Sequence, residues 1–146
     1  MKYVSTRNNS EEYSFEDVFI KGLADDGGLY VPASLKKYSN DDLLKLKNLS
    51  YYELSTEIIN LFSSDFISKD KLSELIKKSY LTFREKEVVK LSNIREIKLL
   101  ELFHGPTLAF KDVAMQFIGN LYEYYLSKND KKINIVVATS GDTGAA

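Results

Sequence analysis

Ile133-Asn134-Ile135-Val136-Val137-Ala138-Thr139-Ser140-Gly141-Asp142-Thr143-Gly144 decides the fold class. Its first half is a near-continuous apolar run, rich in β-branched residues, of the kind that parallel sheets bury on both faces. Its second half is a glycine- and hydroxyl-containing turn of the kind that leads a chain out of a strand and into a helix. Just upstream, Ala114, Phe117, Ile118, Leu121 and Tyr125 recur at helical spacing and predict a helix from about Asp112 to Leu126. Before that helix, Val88-Val89-Lys90-Leu91 and Ile97-Lys98-Leu99-Leu100-Glu101-Leu102 read as strands around a turn at Asn93. Strand, helix, strand and turn-to-helix form a βαβα pattern, so an α/β domain is expected over residues 88–146.

Residues 1–87 read as a mostly helical region. Phe15, Val18, Phe19 and Leu23 follow a helical period behind Ser14, a plausible N-cap, with Glu16 and Asp17 in the first turn. Gly22 or Gly27 would end that helix. Asp25-Asp26-Gly27-Gly28 is a strong turn signal, and Leu29-Tyr30-Val31 before Pro32 reads as extended. Asn40-Asp41-Asp42 opens a second helix. Ser50 with Glu53 forms a capping box ahead of Leu54, Ile58, Leu61 and Phe62. Ser68 starts a further helix, with Leu72, Leu75, Ile76 and Tyr80 as its buried stripe. Its lysines, Lys69, Lys71, Lys77 and Lys78, read as a solvated side.

Composition narrows the function. In 146 residues, 20 basic and 21 acidic side chains leave a formal net charge of -1, which gives no electrostatic reason to expect nucleic acid or an anionic membrane as partner. Cysteine is absent, which excludes disulfides and thiolate metal sites, and a single histidine is too few for most zinc sites. The start, Met1-Lys2-Tyr3-Val4-Ser5-Thr6-Arg7, lacks the apolar core of a signal peptide, and no apolar run approaches membrane-spanning length. A soluble cytoplasmic protein is expected. The sequence stops at Gly144-Ala145-Ala146, directly after a strand-like run and a turn, so it reads as a truncated piece of a larger protein.

Two segments can carry chemistry, and both lie where a strand gives way to a helix, the usual ligand position in open α/β folds. Thr139 to Gly144 has the makings of an anion cradle, since its glycines permit close approach and its hydroxyls add donors. It lacks the Gly-Lys-Ser/Thr ending of a phosphate-binding P-loop and is not G-x-G-x-x-G. A tight turn whose Asp142 and Thr143 merely cap a helix fits the same residues. Phe103-His104-Gly105-Pro106-Thr107-Leu108-Ala109-Phe110-Lys111-Asp112 sets a lysine between an aromatic ring and an acid at a helix start. A cation there opposes the helix dipole, so stability alone would not select it. An amine is also the group that condenses with an aldehyde. The bland alternative is a solvated lysine, with His104 an ordinary loop hydrogen-bonder.

Glu101-Leu-Phe-His-Gly-Pro-Thr-Leu-Ala-Phe-Lys-Asp112 is similar, nearly letter for letter, to the lysine segment of threonine synthases, and Val137 to Ala146 resembles their substrate-carboxylate loop. Tyr3 to Arg7 and Lys21 to Pro32 resemble the N-terminal segment peculiar to the same family. The resemblance implies a tryptophan synthase β-like fold and pyridoxal 5'-phosphate as cofactor. It also implies conversion of O-phosphohomoserine and water to threonine and phosphate. Lys111 would hold the cofactor and move substrate protons, with Phe110 packed near it and Asp112 fixing the segment. Ser140, Gly141, Asp142 and Thr143 would bind the substrate carboxylate, Asp142 would also face the cofactor ring oxygen, and His104 and Thr107 would shape the pocket. The family's Gly-rich loop for the cofactor phosphate does not occur in this sequence, so the chain is expected to be inactive without the rest of the cofactor domain. Related readings are a serine/threonine dehydratase or a cysteine synthase. A non-catalytic helical interaction domain is the reading from a different class.

Overall fold

The computed structural model describes residues 1–146. Elements run in the order β1 (Tyr3–Ser5), α1 (Phe15–Lys21), β2 (Tyr30–Pro32), α2 (Asn40–Leu46), α3 (Tyr51–Ser63) and α4 (Lys69–Tyr80). They continue with β3 (Lys90–Ile94), β4 (Ile97–Glu101), α5 (Asp112–Asn129) and α6 (Asp142–Ala145). The chain divides into two compact units, Met1–Ser73 and Glu74–Ala146, with the division inside α4.

In the first unit, short helices are set by their caps. Ser14, Ser39 and Ser50 each take extended backbone and accept a hydrogen bond from the N–H three residues on, while Asp17, Asp42 and Glu53 accept one from the cap N–H. These reciprocal bonds, with backbone and hydroxyl donors on the carboxylates, hold Asp17 and Asp42 below the usual acid range. Gly22 ends α1 with φ 72°, a conformation that a side chain would resist. β1 and β2 pair antiparallel, Tyr3 opposite Pro32. The expected turn at Asp25–Gly28 is tied back to β1 and the residues just after it: Ser5 Oγ donates to Asp26 Oδ1 at 2.8 Å and Arg7 Nη1 to the Asp26 carbonyl at 3.1 Å.

Aromatic rings fill this unit. Phe15 lies 5.8 Å from Phe19 and 5.5 Å from Phe66, ring centre to ring centre, in the range where offset and tilted pairs attract. Tyr3 is buried, and its hydroxyl donates to the Phe62 carbonyl at 2.8 Å. Burial first, and the Asp65 charge second, push the Tyr3 phenol up to about 12. A raised folded value means the neutral form is favoured. The contribution is therefore complete below the ordinary tyrosine range near 10 and is lost as pH rises through about 12. Tyr3→Phe removes this bond and is expected to cost roughly 1 kcal/mol at neutral pH. An ultraviolet difference titration against the parent chain should show one missing phenol with its midpoint near 12.

In the second unit, the stripe read from the sequence is the core. Leu75, Ile76 and Tyr80 of α4 are buried with Val88 and with Phe117, Leu121 and Tyr125 of α5. Polar bonds fix the pairing of the two helices: Tyr80 Oη donates to the Val113 carbonyl at 2.8 Å, and Asn120 Nδ2 to Ser79 Oγ at 3.0 Å. Lys78 meets Glu123 at 2.5 Å on the exposed side. α5 runs three residues beyond its expected end and buries Phe117, Leu121 and Tyr125 as anticipated, but not Ala114 or Ile118.

The strands depart further from expectation. β3 and β4 are an antiparallel hairpin in which Asn93 pairs with Lys98, so the turn lies at Arg95-Glu96 rather than at Asn93. Arg95 takes φ 56° there, the left-handed value that a two-residue hairpin turn requires. Residues 133–138 form no strand, and Ile135 and Val136 are 66% and 93% exposed. An apolar strand of that type is held by neighbours on its edges. Each sheet of this chain is a two-stranded pair, and neither extends to these residues. No helix is long and apolar enough to cross a membrane.

Candidate functional site

The segment between β4 and α5 is wound around one carboxylate. Asp112, the first residue of α5, is fully buried. Its Oδ2 accepts from the Thr107 N–H at 2.9 Å and its Oδ1 from the Thr107 hydroxyl at 2.8 Å. Bonds to an ionised acceptor are about twice as strong as neutral ones, so this pair fixes the loop. Gly105 is needed for the approach, because a Cβ there would meet the Asp112 side chain, its Cγ at 2.7 Å. Leu108 takes φ 65°, which for a non-glycine residue stores on the order of 1–3 kcal/mol of strain. The tight winding of residues 105–112 holds it there.

Lys111 occupies the N-cap position of α5 with helical backbone, φ -64° and ψ -24°, and no side-chain capping bond. Its carbonyl accepts from Ala114 and Met115, while its Nζ lies 5.7 Å from the centre of the Phe110 ring. Lys111 joins none of the ion pairs of the chain. Its side chain borders an open, mainly apolar recess of about 430 Å³, whose other walls are Leu102, Phe110, Val113, Ala114, Met115 and Thr143. The exposure of Ala114 follows, since it faces the recess rather than the core.

The recess therefore brings together Lys111, Phe110 and Thr143 from two segments some thirty residues apart in sequence. Gln116 Nε2 of α5 donates to the Ala146 carbonyl at 2.8 Å and ties the second segment to the first. Gly141 has φ 136°, which only glycine adopts freely, and its N–H donates to Thr139 Oγ1 at 3.2 Å. The helix that follows is a single turn, with Asp142 at its start. Ser140, Gly141 and Asp142 are exposed and do not line the recess, and neither do His104 and Thr107.

Sequence reasoning missed Glu101. Its Oε2 lies 2.9 Å from His104 Nε2, and its Oε1 accepts from Ser92 Oγ at 2.7 Å. The Ser92 hydroxyl first, then His104, hold the Glu101 carboxyl below its ordinary range. Ser92 pairs with Leu99 across the hairpin, so Glu101 is its diagonal neighbour on the same face. Alternation along β4 would have put the two together had the turn been placed correctly.

Residues 2–80 match the family described as Threonine synthase N terminus. The threonine synthase of Schizosaccharomyces pombe is 43% identical over 156 residues, which cover 100% of this chain and 30% of the relative. The structure of PLP-bound threonine synthase from Brucella melitensis superposes with a TM-score of 0.92 at 40% identity, over 99% of this chain and 31% of that one. The Escherichia coli threonine synthase structure gives 0.86 at 32% identity, over 99% of this chain and 32% of that one. The chain thus spans about 30% of the length of the S. pombe relative. A mixed α/β chain of this kind, matched along its whole length, belongs to the threonine synthase family.

Proposed function

We propose that this chain supplies the lysine-bearing part of a pyridoxal phosphate-dependent threonine synthase, which converts O-phosphohomoserine and water to threonine and phosphate. The observation that carries the reading is the recess where Lys111, Phe110 and Thr143 meet. The donor set suits the cofactor: an amine free of ion pairs, an aromatic face beside it, and apolar walls that would exclude water from a planar ring. When bound, pyridoxal phosphate supplies the electron sink that makes substrate C–H bonds acidic.

Everything else is positioning and proton traffic by the chain's own groups. Lys111 Nζ holds the cofactor and then takes and returns substrate protons. The Asp112–Thr107 bonds fix the backbone on which Lys111 stands, so that Nζ reaches the reacting carbon within a narrow range of positions. Thr143, with Ser140, Gly141 and Asp142, offers hydroxyl and N–H donors to the substrate carboxylate. His104 and Thr107 shape the approach. A domain division near residue 88, with residues 1–87 as the family's N-terminal region, belongs to the same reading.

Residues 1–146 alone do not turn over substrate in this account, because the family resemblance implies that the groups for the cofactor phosphate and ring nitrogen lie in sequence beyond the 30% of the S. pombe relative that this chain covers. The test is threonine and phosphate formation from O-phosphohomoserine. The chain alone should give none. The chain joined to the remaining sequence of the S. pombe relative should be active, and Lys111→Ala should lower that activity by at least ~10²–10⁴-fold. Full activity in Lys111→Ala, or turnover by the chain alone, would overturn the proposal.

A further inference from the structure

His104 is the single histidine of the chain, and its ring is not free to choose its bonding. One nitrogen, Nε2, is 2.9 Å from Glu101 Oε2, with the two side chains only 13% and 14% exposed, so water competes weakly for either. The carboxylate is itself held from the other side by Ser92 Oγ at 2.7 Å. Lys90 stands directly opposite Glu101 in the hairpin register, which further favours the charged acid. The His104 backbone is also fixed, its carbonyl accepting from the Arg84 N–H at 2.9 Å.

We infer that Glu101 is a positioning residue for His104 that, in the neutral form of the ring, keeps its proton on Nε2 and leaves Nδ1 as a preset hydrogen-bond acceptor. An ionised carboxylate can only accept, so the neutral ring must donate through Nε2–H, and Nδ1 is left with a lone pair. His104 then suits a ligand donor, such as a hydroxyl or an ammonium group. In that state it cannot donate to a bare phosphate or carboxylate, which separates its task from the anion-binding role of the segment around Thr143. The identity of the ligand rests on the Lys111 reading. The orientation of the ring does not.

The inference is tested by nitrogen-15 NMR of the chain without cofactor, where a single imidazole makes assignment unambiguous. At a pH where the imidazole is neutral, the parent should show the Nε2–H tautomer, with an Nε2 proton that is observable and protected from exchange. Glu101→Gln should keep that resonance, since its amide oxygen still accepts. Glu101→Ala should lose it to exchange with water. Proton placement on Nδ1 in the parent, or a protected Nε2 proton persisting in Glu101→Ala, would overturn the inference. If Glu101→Ala fails to fold by circular dichroism, Ser92→Ala decides, because it frees one Glu101 oxygen and should shift the Nε2 proton resonance. No shift there would count against the proposal. Since no cofactor is present, this outcome is separate from any failure of Lys111 to react.

Discussion

Asp112→Ala is expected to destabilise the second unit by roughly 3–6 kcal/mol, because each hydrogen bond to a charged group contributes about 1.5–3 kcal/mol and two are lost. The Thr107 N–H and hydroxyl, which now meet Oδ2 at 2.9 Å and Oδ1 at 2.8 Å, would be left without that acceptor. The whole stability of a small domain is only about 5–15 kcal/mol, so the change is large. Asp112→Asn retains one acceptor and should cost about half as much. Gly105→Ala acts on the same contact from the other side, since its Cβ would press on the Asp112 side chain. The two changes should combine by less than their sum, as residues sharing one contact do. Urea unfolding midpoints of the single and double variants measure all of this. An additive double variant, or an Asp112→Ala chain as stable as its parent, would show that the carboxylate does not hold the loop.

Ile76→Ala carries the second large effect, a loss of about 2–5 kcal/mol. Ile76 has no exposed surface and lies in the stripe that α4 presents to the core of Glu74–Ala146. Its removal deletes three buried carbons and leaves a cavity that α4 and α5 cannot easily close. Their spacing is fixed by Tyr80 Oη on Val113 and Asn120 Nδ2 on Ser79. Leu81, just past the end of α4, is 77% exposed, and Leu81→Ala serves as the control with little expected effect. Thermal unfolding distinguishes the two. Equal melting temperatures would mean that Ile76 is not packed as described.

The burial of Ile76 was legible in the sequence, because a helical stripe is a local pattern. So were the caps at Ser14 and Ser50, which need only residues three apart. Pairings between distant segments were harder to read. β1 and β2 are held by partners such as Tyr3 and Pro32, and nothing in either short segment announces the other. The run at 133–138 has strand composition yet no strand, since composition sets what a segment can do and neighbours decide whether it does. Ala114 fits the apolar helical period but faces the recess, where an apolar side chain suits a ligand as well as a core.

At the candidate site, the position of Lys111 at a helix start was legible in the sequence, and family resemblance rather than that position singled it out. Its supporting carboxylate at Asp112 sits in the same short motif. Glu101 was not legible, because its two partners are brought to it by the hairpin register, and the turn lies at Arg95-Glu96 rather than at the Asn93 signal. The meeting of Lys111 with Thr143 depends on how α5 and the segment after Gly141 fold back together, which no local pattern records.

The most direct test of the central claim is to join the chain to the remaining sequence of the S. pombe relative, incubate it with pyridoxal phosphate, reduce with borohydride, and map the product by mass spectrometry. The account predicts one dominant adduct in the peptide spanning Glu101 to Asp112, on Lys111 Nζ. An unlabelled Lys111, or label spread evenly over the exposed lysines, would contradict it.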